Sequence, residues 1–374
     1  MNKLVIANLL HRPLRSLISI TAVAIEVIMI LSIVGIFMGM LNDQKQRTNG
    51  IGADLMMRAS NTSAMNGVSG ASMSQKLIGP LSQLPHVKVV APGILQFSTA
   101  GSVEILYGID FAAWNALKPF VFLSGGPFQG PNDVIVDDVF AGARSKNPTT
   151  GRPYAVGDSI QMLNNQFRIC GIVEHGHGGR KLIPITTMGE LTGAAGKASL
   201  FYIKLDDPTN NEAVIQEIHE VRGLHDYPVE TMAEWLSEMT PDKLPGFNLA
   251  LDVVTGIAVI VGFLVIFQSM YTAVLERTRE IGILKSLGSS KLTIVSVVLR
   301  ETAVMAVAGV VLGIAGTYLV KVFLLRVFPT QHFEITALWL MQGAAIAFVG
   351  ALFGALYPSW MAARKDPIDA LAYE

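Results

Sequence analysis

Three groups of residues in this 374-residue chain have types and spacings that can do chemistry. The first is Glu26, the single charge in the apolar run from Leu17 to Leu41. An ionisable group in such a run costs a few kcal/mol unless it is paired, protonated or facing water. Two readings stand: a carboxyl that bonds a neighbouring helix or reaches Arg15 or water near the interface, or a substrate- or conformation-sensitive group inside a helix bundle. The second group is Glu174-His175-Gly176-His177. His175 and His177 can reach one metal ion from an extended segment, but no third ligand is evident and the surrounding glycines point to a solvated loop.

The third group is the charged stretch from Leu275 to Leu292, LERTREIGILKSLGSSKL, set between two long apolar runs. Glu276 and Glu280 stand at i and i+4, and Ile281, Leu284 and Leu287 at i, i+3 and i+6, which predicts a helix with one charged and one apolar face. Gly288-Ser289-Ser290 ends it, and Ser290 is placed to cap the helix that follows. A helix of this kind can rest on lipid, or it can fit a cleft on a soluble partner. The chain carries no G-x-x-x-x-G-K-[ST] phosphate loop, no G-x-S-x-G elbow and no H-E-x-x-H helix. Nucleotide hydrolysis is therefore not expected of this chain itself. Its one cysteine, Cys170, reads as a small buried residue of a strand, and no intrachain disulfide can form.

The elements that hold these groups follow from composition. With 51% hydrophobic and 15% charged residues and a mean hydropathy of +0.46, an integral membrane protein is expected. A net charge of −1 gives no basic face for nucleic acid. The predicted fold is an α-helical membrane protein with four transmembrane helices and a large α+β extracytoplasmic domain inserted between helices 1 and 2. The boundaries read as an elbow helix at 1–16 stopped by Pro13, spans at 17–41, 249–274, 293–325 (membrane core about 302–320) and 337–359, and a domain at 42–248. Loops fall at 275–292 and 326–336, and a tail at 360–374 with a terminal amphipathic turn after Asp366-Pro367. The fourth span is expected to close before Pro358.

Inside the domain, alternating stretches predict strands, with a hairpin turning at Asn164-Asn165 and a strand from Leu200 to Leu205. Val214, Ile218 and Val221 then mark a helix. This order suggests a ferredoxin-like unit beside a smaller β-rich one, and Ser60–Ser74 reads as a mobile loop. Positive charges at Lys3, Arg12 and Arg15, at Arg277, Arg279, Lys285 and Lys291, and at Arg364 and Lys365 fall on one side of a four-span topology. The positive-inside rule makes that side cytoplasmic, with both termini inside. Gly35-x-x-x-Gly39, Gly309-x-x-x-Gly313 and Gly350-x-x-x-Gly354 predict close helix approach. The pattern leaves open whether that approach lies within one subunit or between two.

ERTREIGILKSLGSS, the Arg300-Glu301 pair and the ending AARKDPIDALAYE resemble the MacB/FtsX-type permeases of ABC transporters. ANLLHRPLRSLISITAVAI is similar to that family's elbow and first helix, and GDSIQMLNNQFRICGIVE with LIPITTMGEL to its extracytoplasmic strands. The resemblance implies a dimer, homomeric or with a related permease, in the bacterial inner membrane. It implies cytoplasmic ATPase subunits that hold ATP and Mg, no cofactor bound by this chain, contact with membrane lipid, and in some systems a membrane-fusion adaptor. ATPase docking would fall on Glu276, Arg277, Arg279, Glu280, Ile281, Ile283, Leu284 and Leu287. No ATPase segment lies in this sequence, so the motor is expected in trans. The expected function is export or extraction of an amphiphile such as a drug, lipid, lipoprotein or haem. The alternative is a non-transporting mechanotransducer that controls an extracytoplasmic hydrolase or signals.

Overall fold

The computed structural model of the chain describes residues 13–59, 72–98, 104–142, 146–148, 150–240, 247–328 and 330–365. Residues 1–12 of the expected elbow, residues 60–71 of the expected mobile loop, and the expected terminal turn after Asp366 lie outside them. The chain divides into two compact units: a helical one from residues 1–39, 246–327 and 331–374, and a mixed one from residues 40–245 and 328–330.

The helical unit contains α1 (Pro13–Asn49), α2 (Phe247–Glu276), the short α3 (Thr278–Ser286), α4 (Lys291–Val327) and α5 (Ala337–Arg364). All but α3 are long and apolar enough to cross a membrane. In hydrocarbon a backbone must satisfy its own hydrogen bonds, and an unbroken helix does so residue by residue. At 37 residues, α4 is about 55 Å long by its 1.5 Å rise per residue. That exceeds a hydrocarbon core of roughly 30 Å. Pro13 lies in the first described turn of α1, so residues 13–16 belong to the long helix and not to a separate elbow. Pro358 does not end the last span, because α5 runs through it to Arg364.

Small residues set the spacing of these helices. A Cβ at Gly309 would lie 2.6 Å from Val23 Cβ on α1, and one at Gly313 would lie 2.6 Å from Val27 Cβ and 2.9 Å from the Ala24 carbonyl. Gly354 on α5 is as tight against α2, with the Phe263 carbonyl 2.9 Å from the position of a Cβ, and Gly35 faces Phe333. These glycines thus serve contacts within one chain. They let Val23, Val27 and Leu31 pack with Ile266, Met270, Met305, Ala306, Ala347, Ala351 and Ala355 in one buried cluster.

The mixed unit is built on β1 (Leu55–Arg58), β2 (Met73–Ser74), β3 (Val87–Ser98), β4 (Glu104–Ile109), β5 (Phe122–Gly125) and β6 (Asp133–Asp137). It continues with β7 (Ser159–Met162), β8 (Asn165–Val173), β9 (Lys181–Pro184), β10 (Lys197–Ala198), β11 (Leu200–Leu205) and β12 (Val229–Thr231). Ten of them form one sheet in the order β12-β1-β11-β3-β4-β9-β6-β8-β5, with β7 on β8; β10 and β2 pair separately. The expected ferredoxin-like and β-rich parts are therefore not separate units. The parallel pairing of β4 with β9 joins strands far apart in sequence into one sheet. At the end of the Ser60–Ser74 stretch, residues 73–74 are β2 and not loop.

The hairpin turns at Leu163-Asn164, one residue before the expected place, since Met162 pairs with Asn165. Both turn residues have positive φ, 48° and 60°, as a two-residue turn matched to the strand twist demands. Val214 and Ile218 are fully buried in the helix Asn211–Glu220, but Val221 lies just past its end in extended conformation.

His177 is not in a solvated loop. It is 5% exposed, its ring stacks on Phe120 with centroids 4.0 Å apart, and Gly178 N–H donates to the Arg47 carbonyl. Burial, with the Lys118 charge beside it, pulls the imidazole down to about 4. His175 is exposed and pairs through Nδ1 with Asp138 at 3.1 Å. Among the described residues, no three His, Cys, Asp or Glu side chains cluster as a metal set.

Two outcomes are expected. Gly313→Leu should destabilise the protein by about 1–3 kcal/mol through overpacking, whereas Gly256→Leu, with open space at its Cβ, should not; equal thermal unfolding midpoints in detergent would refute the close α1–α4 contact. Because the folded His177 binds its proton less tightly than the unfolded ring, its contribution is complete above about pH 6.5 and is lost as pH falls toward about 4. By pH 5 the loss should be on the order of 2 kcal/mol. His177→Phe, which keeps a ring against Phe120, should flatten that part of the stability-versus-pH curve.

Candidate functional site

At one end of the helical unit, Glu301 of α4 is 4% exposed and accepts from two arginines. Arg15 of α1 reaches Oε1 at 3.3 Å, and Arg277, between α2 and α3, reaches Oε2 at 3.2 Å. Arg15 also stands 3.7 Å from Glu276 Oε2 at the end of α2. One carboxylate thus joins α1, the α2–α3 junction and α4. Two cations around one buried anion offset the cost of taking each charge from water.

The junction at Arg277 (φ −107°, ψ 18°) breaks the helix. Glu276 therefore closes α2 while Glu280 lies in α3, so the two are not successive turns of one helix as the spacing predicts. Ile281 does face inward, packing with Val274, Ile294, Ala362 and Ala363. Leu284 is half-buried, and Leu287, the third residue of the expected apolar face, is 80% exposed. Arg279 and Glu280 are exposed, and Ile283 is 46% exposed.

The eight residues expected at this surface thus divide. Arg279, Glu280, Ile283 and Leu287 face outward, Leu284 and Glu276 sit at the margin, and Ile281 and Arg277 hold α3 in place. Gly288 (φ +90°) ends α3, and Ser290 Oγ accepts from Thr293 N–H to cap α4.

Lys285, not singled out as a contact from the sequence, donates from Nζ to the Ala363 carbonyl at 3.1 Å and to that of Lys365. It gives the carbonyls at the end of α5 a donor and a favourable charge. Glu301 and Arg15 also went unrecognised as partners, although a charge within an apolar run, the signal that marks Glu26, marks Glu301 too. Leu292, 80% exposed, adds apolar surface beside Leu287 in sequence.

Glu26 lies elsewhere. It is eleven residues beyond Arg15 on α1, roughly 16 Å at 1.5 Å per residue, which is too far for the expected reach to Arg15. Its carboxylate fits against Gly262 of α2, where any Cβ would collide with it.

The mixed unit holds a second buried charge network at the far end of α1, whose residues from Met40 onward fold with that unit. Arg180, 7% exposed, pairs with Asp43 at 2.8 Å and with Asp137 at 3.2 Å. Asp43 also pairs with Arg47, and Gln44 Nε2 donates to the Tyr107 hydroxyl at 3.3 Å. Burial raises Asp137 above its ordinary range, opposed by the Arg180 charge.

Residues 16–221 match the family model of the MacB-like periplasmic core domain, and residues 253–367 match the FtsX-like permease C-terminal model. Among curated proteins, a macrolide export ATP-binding/permease protein MacB of Rhodopirellula baltica is 30% identical over 46% of this chain and 26% of its own length. A protein of the same description from Nitrobacter winogradskyi is 23% identical over 98% of this chain and 59% of its own. An uncharacterised ABC transporter permease of Methanocaldococcus jannaschii is 27% identical over 60% of this chain and 59% of its own. The chain thus spans between about a quarter and three-fifths of the length of these relatives. Among solved structures, the periplasmic region of MacB from Actinobacillus actinomycetemcomitans aligns with a TM-score of 0.39 at 14% identity, covering 50% of this chain and 92% of that one. The periplasmic-core match alone takes in more than half of the 374 residues, and the chain belongs to the MacB/FtsX-type family of ABC transporter permeases.

Proposed function

We propose that this permease couples a cytoplasmic ABC ATPase to movement of its outer domain, and that α3 is the surface on which the ATPase docks. The carrying observation is the Glu301 cluster, because it ties the residue that opens α3 to both α1 and α4. A load on α3 then bears on Arg15 at one end of α1, and the last turns of the same helix are held by Arg180, the residue before β9. Ile283 and Leu287 are one turn apart and exposed, which suits a knob seated in a cleft on the motor. The motor supplies ATP and Mg; the chemistry assigned to this chain is none, and its work is positional.

We assign export of an amphiphile as the outcome, in keeping with relatives named for macrolide export. Four spans leave little room for a pathway in one subunit, so the working unit is a dimer. An outer adaptor partner would bind the mixed unit.

Ile283→Glu and Leu287→Glu, made separately, should each cut co-purification of the cognate ATPase by about tenfold or more while leaving the protein folded. Undiminished binding with intact ATP-dependent activity would sink the docking assignment. Glu301→Gln is expected to act differently, destabilising the helical unit by roughly 3 kcal/mol by breaking the buried ion pairs with Arg15 and Arg277. Chemical unfolding in detergent reads that loss, and an unchanged midpoint would show that the cluster bears no load.

A further inference from the structure

Along one flank of the helical unit, aromatic rings form an unbroken run from α2 onto α5. Phe263, Phe267 and Tyr271 stand at every fourth residue of α2, with centroids 6.1 and 6.0 Å apart and interplanar angles of 18° and 16°. Phe267 then meets Tyr357 of α5 at 5.8 Å, and Tyr357 meets Trp360 at 6.2 Å. The run ends in a cation, because the Arg364 guanidinium lies 4.1 Å over the Trp360 ring. Tyr357 and Trp360 are 53% and 49% exposed, so the run faces out of the bundle.

Its depth follows from the charges that bound it. The uncharged stretch of α2 ends at Leu275 and that of α5 at Ala363. Tyr271, Trp360 and Arg364 therefore stand at headgroup level, where aromatic and basic residues bracket a hydrocarbon core. Phe263, roughly 12 Å back from Tyr271 along α2, lies among acyl chains. At headgroup level the run offers donors. Among the described residues, the Tyr271 and Tyr357 hydroxyls, Trp360 Nε1 and the Arg364 guanidinium make no hydrogen bond or ion pair. Lys285, held by the carbonyls of Ala363 and Lys365 on either side of Arg364, brings a second cation to the end of α5. Glu276, the acid that closes α2, stands 3.7 Å from Arg15.

We propose that this flank binds an anionic phospholipid of the leaflet at the α3 end. Its phosphate sits on Arg364, its ester carbonyls accept from the tyrosine and indole donors, and its acyl chains run along Phe267 and Phe263. A guanidinium stacked on an indole keeps its N–H groups for an acceptor, and its fork matches phosphate geometry. Two cations at the end of α5 favour a headgroup of net negative charge over choline, whose own ammonium would be brought against them. The site stands whether or not α3 docks an ATPase.

The test uses the full-length protein in phosphatidylcholine nanodiscs without any ATPase. It carries Trp339→Phe, so that Trp360 is the one tryptophan of the spanning helices; Trp114 and Trp235 are buried in the mixed unit. Phosphatidylglycerol with brominated acyl chains should quench Trp360 at a mole fraction about fivefold lower than brominated phosphatidylcholine does. Arg364→Gln should bring the two lipids level. Arg364→Lys, which keeps the charge without the fork, should retain part of the preference and so separates loss of the headgroup contact from a folding defect. Equal quenching by the two lipids in the parent protein would overturn the proposal and leave the rings as general interfacial anchors. A preference that survives Arg364→Gln would overturn it as well. Loss of the preference on adding inorganic phosphate at constant ionic strength would reassign the site to a free phosphate, and loss of quenching on adding the cognate ATPase would make the flank a protein contact.

Discussion

The helical unit depends on how Glu301 is neutralised. A lone carboxylate at 4% exposure would cost several kcal/mol, and so would either arginine without it. The three are tolerated only together, and togetherness fixes geometry: Arg15 must come from α1, Arg277 must turn out of the end of α2, and Glu301 must face inward from α4. Apolar packing between membrane helices is weakly directional, because lipid tails offer an equally apolar surface. Registry at this end is instead specified by charge, while the glycine contacts of Gly309 and Gly313 with α1 specify distance.

Glu26 shows the opposite solution to the same problem. It too is a buried carboxyl in a long apolar helix, yet among the described residues no guanidinium pairs with it, and Gly262 gives it space. Two acidic residues on neighbouring helices thus occupy contrasting environments, one satisfied within the chain and one not.

Much of this architecture was legible in the sequence for physical reasons. Membrane spans advertise themselves by length and apolarity, and the Gly288 and Ser290 signals acted through backbone geometry local to a few residues. The strand Leu200–Leu205 was readable as a short alternating run bounded by turn residues. Failures came where the deciding partner is distant in sequence. His177 looked solvated among glycines because Phe120, on which it stacks, is 57 residues away. The single sheet was hidden because β4 pairs with β9 across more than 70 residues. Arg277 read as a surface cation because nothing near it announces Glu301. The break between Glu276 and Glu280 escaped for the same reason, since Arg277 leaves helical geometry where it turns toward that carboxylate.

The last helix, α5, carries a proline in its interior. Pro358 lies within the helix and has no N–H to give the Gly354 carbonyl, so the ladder lacks a rung at the turn where Gly354 presses closest to α2. Beyond that rung come Ala362 and Ala363, which pack on Ile281, and the carbonyls held by Lys285. A helix bends most cheaply where a rung is missing. The end of α5 can therefore swing with α3 as a hinged lever while its upper turns stay seated, so a small rotation at this face need not unpack the bundle.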